Sequence, residues 1–197
     1  MTDTTTIDTA TTDIATAADG NGGLTTARVD PALADELRDV LHDEAELLDE
    51  GRLREWTALL TDDITYQVPV RVQKERTDDG RVTGVMGTSF HMDENRTSIE
   101  MRVDRVETGF AWAEEPPSRL RHHITNVRVR PTDRDDELSV RSNVLVFRSR
   151  WDWAAQDLLS CERFDAWRRV DGRWRLARRL VLLDVTSVPT HNLSFFF

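Results

Sequence analysis

The hydrophobic period of this chain changes at Ser118, and that change constrains the fold more than any other feature. Beyond it lie long alternating runs, about Arg119–Arg130, Glu137–Trp151, Leu158–Val170 and Arg173–Val185. Alternation at period two reads as half-buried strands. Asp171-Gly172, between the last two, is a two-residue type I′ hairpin signal. Ahead of Ser118 the period is helical. Leu33, Leu37, Val40, Leu41, Glu44, Ala45 and Leu48 trace a 3.6-residue stripe broken only by Glu44. Asp30 suits its N-cap, Pro31 its first position and Gly51 its end. A second short helix, about Leu53 to Leu60, carries Leu53, Trp56, Leu59 and Leu60 on one side.

Ile64 to Val72 reads as a strand whose Pro69 places it at an edge or a bulge. Residues 73–90 are charged and carry Gly80, Gly84 and Gly87, which predicts a loop. A third helix is expected after Asp93 as N-cap, with Ile99, Val103, Val106 and Phe110 on one face and Gly109 near its end. Helices followed by long antiparallel strands mean an α+β fold. A strongly twisted sheet curls, and its concave face must be filled, here by the early helices. The arrangement resembles the cone-shaped NTF2-like fold, a curved, mostly antiparallel sheet wrapped around N-terminal helices. In the last strand Trp174, Leu176, Leu180 and Leu182 share a face, while Val181 and Leu183 make its later half apolar on both sides. A helix or another subunit is expected to cover that half.

The chain divides near residue 30. Residues 1–30 form a Thr-rich tail with five Asp and one Arg, and its large apolar residues show no period. Such a segment cannot offset its ordering entropy, so disorder is expected, with an NTF2-like domain over 31–197. The first 27 residues hold no Lys or Arg, which argues against a signal or transit peptide. No apolar run is long enough to span a membrane. A cytoplasmic protein is expected. Acids outnumber bases 36 to 26, and Lys74 is the only lysine, which disfavours nucleic acid as a partner.

Candidate chemistry is sparse. Cys161 is the only cysteine, so a Rieske centre or a thiolate zinc cluster has no ligands here. His91-Met92-Asp93 spells the H-x-D half of a two-histidine, one-carboxylate iron site, with His122, His123 or His191 as the distant ligand. An acid two places after one of five histidines is a common coincidence in so acidic a chain. His122 and His123 adjoin in a strand and point to opposite faces, so they do not share a metal. Tyr66, the only tyrosine, could pair with Asp43 or Asp49 in a pocket, or simply pack. Cys161 has no activating neighbour and reads as a small core residue.

One stretch is more specific. R-V-E-T-G at 105–109, A-W-A-E-E-P-P-S-R at 111–119 and R-H-H-I-T-N at 121–126 together resemble the small (β) subunit of bacterial aromatic-ring-hydroxylating dioxygenases. L-H-D-E-A-E-L-L-D-E-G-R-L-R-E-W from Leu41, N-V-L-V-F-R-S-R at 143–150, W-R-L-A-R-R-L-V-L-L-D at 174–184 and the closing H-N-L-S-F-F-F keep the same order. The resemblance spans about residues 33–197 and is nearest the 3-phenylpropionate or cinnamate, biphenyl and naphthalene types. It implies a chain with no cofactor of its own. The large (α) subunit would hold the Rieske [2Fe-2S] cluster and the mononuclear non-haem iron. NADH would supply electrons through separate reductase components. The assembly implied is α3β3 with β–β contacts, adding O2 to an arene to give a cis-dihydrodiol in aromatic catabolism.

The same stretch is the expected subunit interface. Pro116-Pro117 is stiff and lacks amide donors, Trp112 offers a large contact area, and Arg119 and Arg121 offer forked donors opposite Glu114 and Glu115. Phe195, Phe196 and Phe197 are a second interface candidate, because three adjoining aromatics would be an exposed apolar patch unless docked. No catalytic residue is assigned. A self-sufficient isomerase or dehydratase using Tyr66, and a homo-oligomeric binding module, remain open alternatives.

Overall fold

The computed structural model describes residues 28–73, 84–108, 117–150, 156–190 and 192–197. Helix α1 (Pro31–Asp49) starts as its sequence dictates: the Asp30 carboxylate accepts from the Ala32 amide at 2.9 Å, with proline in the first turn. Val29, just before the cap, is half-buried against the core. The chain leaves α1 through Gly51, whose φ of +70° is a conformation that glycine adopts without strain. Helix α2 (Leu53–Thr57) is shorter than its apolar pattern, because Leu60 already opens strand β1 (Leu60–Gln73).

The next stretch departs from the sequence reading. Residues 84–95 are strand β2 (Gly84–Asn95), antiparallel to β1, although a loop was expected over residues 73–90. Helix α3 (Arg96–Glu107) is capped by Asn95, not Asp93. Asn95 Oδ1 accepts from the Ser98 amide at 3.0 Å, and Ser98 Oγ accepts from the Asn95 amide at 2.9 Å. Asp93 lies within the β2 ladder opposite Gln67, whose side-chain amide donates to it at 3.0 Å. Pairing with β1 holds the backbone extended through Asn95, and only there does a reciprocal capping box become available. Gly109 and Phe110 lie outside the described residues.

Strands β3 (Arg119–Pro131), β4 (Glu137–Ser149), β5 (Gln156–Val170) and β6 (Arg173–Leu183) match the expected runs to within a few residues. The six strands form one curved, unclosed sheet in the order β2-β1-β6-β5-β4-β3. Every neighbouring pair is antiparallel except β1 and β6, which run parallel. Strand β1 is therefore interior. Pro69 is tolerated there because the β1–β2 register shifts on both sides of it, so the bulge reading holds and the edge reading does not. At the β5–β6 turn, Asp171 and Gly172 both have positive φ, +50° and +77°, as a type I′ turn demands.

The helices and the sheet share one core. Leu37, Leu41 and Leu48 of α1, Trp56 of α2, and Ile99 and Val103 of α3 join Val68, Val140, Val144, Val146, Leu159 and Trp167 of the sheet. In β6 the apolar stripe changes face. Trp174 and Leu176 belong to the shared core cluster, and then so do Val181 and Leu183, while Leu180 is buried outside that cluster and Leu182 is half-buried. A register shift between Ala166 and Trp167 in β5, facing this point, resets the alternation.

Candidate functional site

Four charged side chains meet in the interior of the cone. Arg179 of β6 donates through Nη1 and Nη2 to the two oxygens of Glu44 of α1, at 2.8 and 2.7 Å. Through Nε and Nη2 it also donates to both oxygens of Asp165 of β5, at 2.9 and 2.8 Å. Arg163 of β5 lies 3.4 Å from Glu44 and 3.2 Å from Asp165. The Trp56 indole N–H donates to Glu44 at 3.1 Å. All four charged residues are buried, and their charges cancel. Burial opposes ionisation of Glu44, but Arg179 and Arg163 outweigh it and hold the carboxyl below its usual range. Burial likewise opposes the charge on Arg179, and Asp165 and Glu44 overcome that too. Glu44 is the break in the α1 stripe, so one signal of this cluster was visible. Arg163, Asp165 and Arg179 sit in strands that carry several other charges, so the sequence did not single them out.

Against this cluster lie residues 192–197. The Phe197 amide donates to the Tyr66 hydroxyl at 2.7 Å, and its backbone oxygen accepts from Arg179 Nη1 at 2.7 Å. The Phe196 ring stacks on Trp56 with centroids 4.3 Å apart and meets the edge of Tyr66 at 5.6 Å. Phe195 and Phe197 touch at 5.2 Å. Arg148 of β4, 4% exposed, donates to Thr190 Oγ1, the Asn192 oxygens and Ser118 Oγ, and lies over the Phe195 ring. Phe195, Phe196 and Phe197 are thus buried in the chain's own core, which corrects their expected place at a subunit interface. The apolar patch is removed from water by docking in cis.

At the rim, His122 Nδ1 lies 2.6 Å from Asp49 Oδ1 and its Nε2 lies 3.0 Å from the Phe196 oxygen. Asp49 also accepts from the His122 amide at 3.0 Å and is approached by Arg121 at 3.4 Å. The His122 side chain is buried and His123 is exposed, as opposite faces of β3 require. Tyr66 pairs with neither Asp43 nor Asp49. It is fully buried, and burial raises its hydroxyl pKa. Pro117, Arg119 and Arg121 are exposed beside this rim. Trp112, Glu114, Glu115 and Pro116 lie outside the described residues, as does His191.

The iron motif does not assemble. Asp93 is bonded to Gln67, His122 is held between Asp49 and Phe196, and among the described residues no three His, Cys, Asp or Glu side chains converge. Cys161 is buried, and burial pushes its thiol up to about 12. Among the described residues no helix is long and apolar enough to cross a membrane.

A curved, unclosed sheet closed by N-terminal helices over an ion-paired interior defines an NTF2-like domain. Within that class the chain belongs to the ring hydroxylating beta subunit family, whose profile matches residues 43–190. It is 38% identical over 172 residues to a 3-phenylpropionate/cinnamic acid dioxygenase subunit beta of Photorhabdus laumondii, covering 86% of this chain and 94% of that one. A chain of naphthalene 1,2-dioxygenase with indole bound superposes with a TM-score of 0.79 at 28% identity, covering 98% of this chain and 100% of that one. The beta subunit of benzoate 1,2-dioxygenase from Burkholderia mallei shares the fold, with a TM-score of 0.60 at 22% identity over 81% of this chain and 93% of that one. The chain is a component of an oxidoreductase holoenzyme, and a beta subunit implies an alpha subunit partner.

Proposed function

We propose that this chain is the non-catalytic small subunit of a Rieske non-haem iron aromatic-ring dioxygenase. It supports α subunits that add O2 to an arene to give a cis-dihydrodiol, in an α3β3 assembly with β–β contacts. The cluster, the iron and the NADH-fed electron supply belong to the partner components, and the complex is cytoplasmic. The observation that carries this reading is the occupied interior. The polar groups a reaction would need, Tyr66, Glu44, Asp165, Arg179 and His122, are each bonded to another part of the same chain. Trp112, Glu115, Pro116, Pro117, Arg119 and Arg121 are proposed as the contact with the partner, supported by the exposure of Pro117, Arg119 and Arg121 on one rim. Co-expression with the large subunit tests it. The two chains are expected to copurify, and dihydrodiol formation to require both, with O2, NADH and the reductase. Turnover of an aromatic substrate by the isolated small chain would overturn the reading.

A further inference from the structure

We propose that the acidic segment 1–27 docks in cis on an arginine-lined channel that begins where the segment joins the folded chain. The channel has two parts. Between the start of α1 and the end of β3 runs a groove of about 330 Å³ lined by Arg28, Arg38, Arg128 and Arg130. A second groove, of about 740 Å³, crosses β3, β4 and β5 among Arg128, Arg130, Arg141 and Asn143. The two share Arg128 and Arg130, so they meet at β3, an edge strand of the sheet.

The channel carries unanswered positive charge. Exposed arginines elsewhere commonly hold carboxylates: Arg52 pairs with Glu50 and Glu55, Arg54 with Asp104 and Glu107, Arg169 with Glu36. Within the channel Arg38 has Asp35 and Arg141 has Glu162. Among the described residues no carboxylate pairs with Arg28, Arg128 or Arg130, and Arg130 reaches only the Val129 oxygen. Asp30 is committed to the cap of α1. A register shift between Thr125 and Arg128, with Asn126 at a φ of +55°, sets Arg128 directly opposite Arg141. Like charges in facing positions repel, so an anion beside them stabilises this end of the sheet.

Charge and position select the occupant. Residues 1–27 hold Asp3, Asp8, Asp13 and Asp19 and no basic residue. Their four carboxylates match a channel in which three arginines lack one. The segment ends at Arg28, itself part of the lining, so the tether keeps its carboxylates at an effective concentration near the millimolar range. Asp19 can lie up to about 30 Å along the channel from Arg28, and the other three further on. Such docking needs no regular structure, only carboxylates within reach. Ion pairs on an open surface are salt-sensitive and add little to the stability of the fold.

The test uses the full chain, enriched in nitrogen-15, with a nitroxide label on Thr5→Cys. Cys161 is buried and stays unlabelled. An undocked tail would hold the label about 26 Å from Arg28 on average. At about 10 mM ionic strength the label is expected to broaden the amide signals of Val127, Val129 and Arg141. The broadening should be at least about twofold greater than in a companion chain with Asp3→Asn, Asp8→Asn, Asp13→Asn and Asp19→Asn. At about 1 M salt the two chains should look alike. Arg128→Gln with Arg130→Gln should reduce the broadening as the asparagine substitutions do. Neither set of substitutions touches the core. Equal broadening in the parent and the companion chain would show a solvated tail. Broadening centred away from the channel would show another docking site. Broadening of an unlabelled, enriched chain mixed with a labelled, unenriched one would place the tail on a second copy. Each of these three results would overturn the proposal.

Discussion

Arg179 and Glu44 stand 135 residues apart in sequence and form a doubly hydrogen-bonded pair with no solvent exposure, at 2.8 and 2.7 Å. The pair ties β6 to α1 across the cone, and Asp165 and Arg163 complete it. Buried pairs of this kind gain little over a well-packed apolar pair. Breaking one is costly, because a charge is left behind without a partner.

Glu44→Gln should therefore lower stability by about 3–5 kcal/mol. For a domain of this size that is a fall of roughly 10 °C in melting temperature. The pH dependence follows from the direction of the shift. The Glu44 carboxyl is held below its ordinary 4.5 in the folded chain, so its stabilisation is fully present above that value. It is lost as the pH falls below 4.5 toward the lower folded value. Melting curves between neutral and acid pH should show this loss in the parent, and Glu44→Gln should show less of it. Equal acid sensitivity in both would remove Glu44 as a source.

Cys161 should be unreactive in the native state. Its thiol is buried and its pKa is pushed up to about 12, so almost no thiolate exists at neutral pH. A chromogenic disulfide reagent at pH 8 should label it only after denaturant is added. Rapid labelling of the folded chain would show that β5 opens locally.

The two candidate caps of α3 predict different costs. Asn95→Ala removes the side-chain acceptor of the reciprocal box and should cost about 1 kcal/mol. Asp93→Ala removes only a contact with Gln67 and should stay within about 0.5 kcal/mol of the parent. Urea titrations of both variants would reverse the assignment if Asp93 proved the costlier.

Trp112→Ala and Arg119→Ala test the proposed contact with the large subunit. Both should promote dissociation of the assembled complex on dilution, read by light scattering. Activity per intact complex should change little, because neither residue is a bond-making group in the proposal. An intact complex with abolished turnover after Arg119→Ala would place that residue in the chemistry.

Removal of residues 1–27 should leave the melting temperature within a few degrees of the parent. The described chain begins its packing at Val29 and its first helix at Pro31. A larger fall would extend the folding unit into the tail.

The strands beyond Ser118, the start and end of α1, the type I′ turn and the α+β class were all legible, because each rests on local chemistry. Alternation fixes a face, Asp30 and Pro31 fix a helix start, and Asp171-Gly172 tolerates positive φ. The strand at 84–95 was not legible, since its glycines and charges read as a loop and only pairing with β1 makes it extended. Asp93 looked like a cap for the same reason: the sequence does not say where the ladder stops. The break at Glu44 was visible as an anomaly, but its partners lie on β5 and β6, more than a hundred residues away. The burial of Phe195 to Phe197 was likewise out of reach, because an apolar triplet announces only that something must cover it. Whether a partner or the chain itself does so depends on the cone's own curvature, and that arises only when six strands twist together.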